Sequence, residues 1–273
     1  MADRPIGMFD SGFGGLTVAR ATIDLLPDEH LVYLGDTARY PYGPRPQAEV
    51  RSFAMQIAEH LVATYDIKLL VVACNTATAA ALGDLDRELD IPVVGVVDAG
   101  VRAVLDATES GRVGVIGTVG TIESGAYQKA ISAIDSSVDM TCCACPGFVE
   151  FVERGTTSGA EVRLLATRLL APVVEAGVDA LLLGCTHYPY LARVISDAVG
   201  AEVVLVSSAD ETAFALARML DERGLRRRPL DHDHPASSSG TQQFVSSGDI
   251  RAFTALGSRL LGPELAGAEL WQP

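Results

Sequence analysis

The chain has 273 residues, with 35 Asp and Glu against 21 Lys and Arg and a formal net charge of −14, so it repels polyanions and nucleic acid is not its main partner. Hydrophobic residues make up 48%, enough for a sizeable core in one large domain or two smaller ones. No apolar run reaches the ~18–20 residues of a membrane span, and "MADRPIGMFDSG" lacks the charged-then-apolar order of a signal peptide.

The first apolar run of strand length is "IGMF" (6–9). It leads into "MFDSGFGGLT" (8–17), which opens a helix. A G-x-G-x-x-G fingerprint begun at Gly12 and Gly14 would need its third glycine where Thr17 stands, so a dinucleotide site is rejected. The glycines still imply a tight turn with free backbone N–H groups, suited to a carboxylate. Asp10 and Ser11 stand at the carboxyl end of this strand, and a helix N-cap is the competing reading for Asp10. "LVYL" (31–34) runs into the Pro- and Gly-rich loop "GDTARYPYG" (35–43), and a long amphipathic helix spans 48–65. "KLLVVA" (68–73) ends at Cys74, and "PVVGVV" (92–97) reads as the next strand. "VGVIG" (113–117) is followed by Thr118 and Thr121, hydroxyl donors at a strand end. "VDMTCC" (138–143) enters "CCAC", whose Cys142, Cys143 and Cys145 read as core packing. The helix 159–177 contains Pro172, expected to kink or end it. "ALLLG" (180–184) ends at Cys185, and "VVLV" (203–206) follows. A polar excursion, "RRRPLDHDHPASSSGTQQ" (226–243), carries His232 and His234, read as loop histidines rather than metal ligands. "FVSS" and a helix from about 249 to 262 close the pattern. Strands alternating with helices, and rich in Val, Ile and Leu, predict an α/β fold with mainly parallel sheets flanked by helices.

"VVACNTA" and "LLGCTHY" align as strand, small residue, cysteine, then Asn-Thr or Thr-His. This suggests two similar halves, pseudo-twofold related. Parallel sheets place ligands at the carboxyl ends of their strands. A thiol there faces the N–H groups of the next helix, which predicts a lowered pKa and a useful thiolate fraction. The competing reading is two small buried hydrophobes. If the halves face each other, Cys74 and Cys185 meet across one cleft, and two thiols flanking one carbon suit inversion of a stereocentre. Five cysteines, an odd number, point to reduced thiols in the cytoplasm. A two-lobed small-molecule binding protein is the alternative from another class.

"FDSGFGGLTV", "GDTARYPYG", "VVACNTATA", "VGVIGTVGTIESGAY", "LLLGCTHYPYL" and "FVSSGD" resemble, in order over about 10 to 249, the motif series of glutamate racemases in the aspartate/glutamate racemase superfamily. The resemblance implies racemisation of glutamate at Cα with no cofactor and no metal, supplying D-glutamate for peptidoglycan. Aspartate or hydantoin is the alternative substrate within the superfamily. The resemblance implies two α/β domains, 1–97 plus 208–273 and 98–207, with the active site between them. It makes Cys74 and Cys185 the acid/base thiols, Asp10 the acid near the first and His187 the group beside the second. Ser11, Tyr42, Gly43, Asn75, Thr76, Thr118, Thr121 and Thr186 become substrate contacts, and Glu153 a further catalytic acid. Before Glu153 the stretch reads "CPGFVEFVE", with Gly147 and Glu150 where the family usually has Leu and Pro. The partner expected is the small-molecule substrate, with neither nucleic acid nor membrane, and a homodimer is one allowed assembly.

Overall fold

The computed structural model describes residues 1–227 and 239–273. Its strands form two wholly parallel sheets. The first contains β1 (Ile6–Asp10), β2 (Leu31–Gly35), β3 (Leu69–Val72) and β4 (Val93–Gly95), with two late strands, β9 (Gln242–Ser246) and β10 (Glu269–Leu270). Its six strands run in the order β10-β9-β2-β1-β3-β4. The second contains β5 (Arg112–Gly117), β6 (Asp139–Ala144), β7 (Ala180–Gly184) and β8 (Val204–Ser207), in the order β6-β5-β7-β8. The segment β2-β1-β3-β4 is therefore repeated as β6-β5-β7-β8. Cys74 follows β3 and Cys185 follows β7, at equivalent strand ends.

Period-two alternation explains why the strands read as unbroken apolar runs. Met8, Tyr33 and Val71 face one side of the first sheet, where they meet Leu16 and Val18 of α1 (Leu16–Leu25) and Phe253 of α11 (Ile250–Leu260). Phe9, Leu34 and Val72 face the other, against α2 (Gln47–Tyr65) and α3 (Asn75–Glu88). Both faces are covered, so every position of the central strands β1, β2 and β3 is buried. The second sheet is sandwiched in the same way. Leu181 and Leu183 pack with α8 (Ala160–Glu175) and α9 (Ala192–Val199), and Val113, Val115 and Leu182 with α6 (Ala126–Ile134). Two short helices, α5 (Val119–Glu123) and α7 (Phe148–Glu153), follow β5 and β6.

Two helices cross between the lobes. α4 (Val96–Ala107) follows β4 of the first sheet, yet its Val97, Val101 and Val104 join the core of the second. α10 (Ser208–Glu222) follows β8 of the second sheet, yet its Leu216 and Leu220 join the core of the first. The two pack against each other.

Two expectations need correction, and one element had none. The run "PVVGVV" is strand only to Gly95; Val96 and Val97 begin α4, Val96 packing in the core of the first sheet and Val97 in that of the second. Pro172 does not end its helix, which continues to Glu175. A proline this near the C-terminus removes one N–H while its own carbonyl still accepts from Ala176 N at 3.0 Å. The short β10 beside β9 gave no recognisable pattern. His232 and His234 lie outside the described residues. Among the described residues no helix is long and apolar enough to cross a membrane.

Candidate active site

Cys74 ends the first half-site. It sits in extended conformation as the N-cap of α3, and Ala77 N–H donates to its sulfur at 3.5 Å. On its other side Sγ lies 3.7 Å from Ser11 Oγ. Asp10 is fully buried beneath them, with Oδ2 accepting from Gly12 N at 2.9 Å and Oδ1 from Thr186 Oγ1 of the opposite lobe at 3.4 Å. The expectation of a lowered thiol pKa fails here. Burial pushes the Cys74 thiol up to about 12, with the Asp10 charge adding to it, and the Ala77 N–H and Ser11 offset only part. Withdrawal from water outweighs one helix terminus.

The second half-site is built differently. The Cys185 carbonyl accepts from Tyr188 N at 3.0 Å and opens a single 3₁₀ turn, Tyr188–Leu191, before α9 begins. No regular helix starts directly at this sulfur, contrary to the sequence pattern. Instead Sγ faces His187 Nδ1 at 3.9 Å. His187 Nε2 is 3.0 Å from Glu153 Oε1, at the end of α7. Burial alone would lower the imidazole, but Cys185, Glu153 and then Asp10 overcome it and raise His187 to about 10. The imidazolium form is thereby favoured beside the sulfur.

Both sulfurs line one cleft, which holds about 610 Å³ of empty space including its open mouth. Ser11, Gly43, Asn75, Thr76, Thr118, Thr186 and His187 line it as well. Asp10, Thr121 and Glu153 do not; they stand behind the lining residues. Thr76, Thr118 and Thr121 bond to one another at 2.9, 3.2 and 2.9 Å, a hydroxyl triangle that joins the two lobes. Gly43 belongs to the same seam: its carbonyl accepts from Gly120 N at 2.9 Å, and a Cβ at Gly43 would lie 2.8 Å from Thr118 Cβ. Tyr42 reaches the cleft, but its hydroxyl is committed to Asp36, which also accepts from Arg39 at 2.7 Å and Ser247 at 2.6 Å.

Several lining residues were not among the expected site residues, among them Tyr40, Val149, Glu150 and Cys145, which is buried in the core as expected and also reaches the cleft. Tyr40 tilts over the His187 ring at 6.4 Å from a loop that ends in a Tyr40–Pro41 cis bond. All five cysteines are free. Cys142 and Cys145 stand at C-x-x-C spacing, but Cys142 packs on one face of the second sheet and Cys143 and Cys145 on the other.

The parallel lobes, with a buried thiol at matching strand ends over one cleft, define a two-lobed α/β enzyme whose site lies at the carboxyl ends of its strands. The chain belongs to the Asp/Glu/Hydantoin racemase family, whose model matches residues 16–215, and it is thereby an isomerase of the racemase class. It is 51% identical to the glutamate racemase of Acidothermus cellulolyticus over 97% of this chain and 98% of that one. It is 52% identical to that of Corynebacterium glutamicum over 96% and 93%. Among solved structures, a glutamate racemase isoform of Bacillus anthracis superposes with a TM-score of 0.91 at 39% identity, over 100% of this chain and 98% of that one. The Francisella tularensis glutamate racemase in complex with D-glutamate superposes with a TM-score of 0.90 at 32% identity, over 100% and 98%.

Proposed function

We propose that this chain interconverts L- and D-glutamate by proton transfer at Cα between the thiols of Cys74 and Cys185, and that the D-glutamate serves peptidoglycan synthesis in the cytoplasm. The observation that carries the reading is the placement of the two sulfurs: equivalent strand ends of a repeated strand order, both lining one cleft. The choice of glutamate rests on the relatives. We place the lobes at 1–97 plus 208–273 and 98–207, since the crossing helices α4 and α10 begin near those points.

The chemistry balances without a net change in the protein's protons. A thiolate takes the α-proton from one face and becomes a thiol. The thiol on the other face delivers its proton to Cα and becomes a thiolate. Between the two steps negative charge spreads from Cα into the carboxylate, so donors fixed in a water-poor cleft are needed. The hydroxyls of Ser11, Thr76, Thr118 and Thr186 and the Asn75 amide, all on residues that line the cleft, supply them. Burial holds Cys74 as a thiol, ready to donate, and His187, its imidazolium form favoured, stands beside the sulfur that must accept. The family resemblance implies that Cys185 takes the proton of the L-enantiomer and Cys74 that of the D-enantiomer.

Serine keeps the size of cysteine but is a far weaker acid. Cys74→Ser and Cys185→Ser are each expected to lower glutamate racemisation by about 10²–10⁴-fold, the usual scale for one acid/base group. Offered both enantiomers of β-chloroalanine, each mutant keeps one thiol and should eliminate chloride from one enantiomer, with opposite preferences. Near-normal racemisation by either mutant would make that cysteine structural. Faster turnover of aspartate or hydantoin than of glutamate would move the mechanism to that substrate.

A further inference from the structure

Behind the cleft wall one hydrogen bond fixes the polarity that the wall presents. Tyr127, on α6 of the second lobe, is fully buried and does not line the cleft. Its hydroxyl donates to Asn75 Oδ1 at 2.5 Å, across the boundary between the lobes. Asn75 is 2% exposed and does line the cleft, and its Nδ2 is buried without a hydrogen-bond partner among the described residues.

A carboxamide has the same shape either way round, so its hydrogen bonds decide which end faces where. Were the amide reversed, Nδ2 would donate to the tyrosine oxygen and Oδ1 would face the cleft. The hydroxyl hydrogen would then be stranded in a buried site, because Asn75 Oδ1 is its only acceptor among the described residues. An unmet donor at that depth is costly. The arrangement that satisfies Tyr127 is therefore the one that leaves Nδ2, on a residue lining the cleft, with nothing to bond.

We propose that Tyr127 is a positioning residue: by occupying Asn75 Oδ1 it locks the amide with Nδ2 towards the cleft, so that the wall offers a donor to the carboxylate of the bound amino acid. The inference rests on the functional reading above. It makes the donor a joint product of both lobes, since the first supplies the amide and the second sets its direction. Tyr127 touches neither substrate nor sulfur.

The experiment compares Tyr127→Phe with its parent in two backgrounds, Asn75 and Asn75→Ala. Calorimetry reads the affinity for glutamate, since racemisation produces no net heat, and a coupled assay reads kcat/KM. In the Asn75 background affinity and kcat/KM are each expected to fall roughly tenfold, the scale of one hydrogen bond to a charged group. In the Asn75→Ala background Tyr127→Phe should change neither by more than about twofold, because the path it acts through is gone. Unchanged affinity in the first background, or an equal loss in both, overturns the proposal. A second variant does not depend on how the phenylalanine mutant folds. Asn75→Asp keeps the tyrosine bond but turns the donor into a carboxylate oxygen, so it should bind glutamate more weakly than Asn75→Ala. Tighter binding by Asn75→Asp than by Asn75→Ala overturns the amide direction. A parent chain that neither binds nor racemises glutamate overturns the functional reading and this inference together, whereas failure of the comparisons alone removes only the inference.

Discussion

The His187 imidazole is held between a sulfur and a carboxylate, and that position makes its protonation a stability term. Its folded value of about 10 lies above the 6.5 of an unperturbed histidine. A raised value means that the folded state binds the proton more tightly. The stabilisation is complete below about pH 6.5 and is lost as the pH rises through 10. Glu153→Gln removes one of the charges responsible. The gap in melting temperature between parent and Glu153→Gln should therefore be constant from about pH 5.5, where carboxylates are ionised, to 6.5 and shrink between 6.5 and 10, read from thermal unfolding across a pH series. A gap that widened with pH would contradict the assignment. The same residues show what was legible beforehand. Cys74 and Cys185 stand out because their signal is local, a strand ending on a thiol. His187 and Thr186 are adjacent to one of them. Glu153 and Tyr127 act on partners 34 and 52 positions away, and no short pattern encodes such a contact. The Cys74 thiol has a related explanation: the helix N-terminus can be read from the sequence, but the depth of burial that overrides it depends on residues distant in the chain, such as Phe9 and Tyr42, that share its core.

At the scale of elements, the turn between β1 and α1 shows how closely the lobes approach. A Cβ built on Gly14 would lie 2.2 Å from Thr186 Oγ1 and 2.5 Å from His187 Nδ1, both on the second lobe. The backbone at Gly14 is not left-handed, so alanine strains nothing within its own lobe. Because the new methyl must displace the buried Thr186 and His187, Gly14→Ala should lower urea-unfolding stability by about 1–3 kcal/mol. It should also lower kcat/KM about 100-fold, the cost of moving reacting groups by about an ångström. A large loss of stability with normal kcat/KM would show that the glycine serves the fold and not the approach. Most elements were predicted to within two residues, because fully covered parallel strands are continuous apolar runs. The same property hid the start of α4. Val96 and Val97 extend such a run, and periodicity over so few residues cannot separate strand from helix. Pro172 misled in the opposite sense, since the cost of a proline depends on how many turns follow it.

For the whole molecule, the exchange of α4 and α10 ties the lobes together at two neighbouring places, where the side chain of Leu182 and Ser208 Cβ both lie against Gly100. Within this frame the repeated strand order brings two thiols to one cleft, which the sequence repeat foreshadowed, but the repeat is imperfect. Cys74 caps a regular helix, whereas Cys185 opens a 3₁₀ turn and faces an imidazole. On the two-thiol reading this difference has a geometric origin. The two faces of a stereocentre are related by reflection, and a chain of L-residues can repeat its own pattern only by rotation. Duplication therefore cannot produce the mirror-image half-site that the opposite enantiomer would require, and each side must make its own accommodation. Thermodynamics is indifferent to handedness: the enantiomers have equal free energy, so kcat/KM must be the same in both directions. The individual constants are under no such constraint. Measured separately from each pure enantiomer, kcat is expected to differ between L- and D-glutamate, with KM differing by the same factor. Equal kcat values would mean that the two unlike half-sites are energetically alike. Chirality of the polypeptide itself, passed through a duplicated fold, thus sets unequal speeds for a reaction whose equilibrium has no preference.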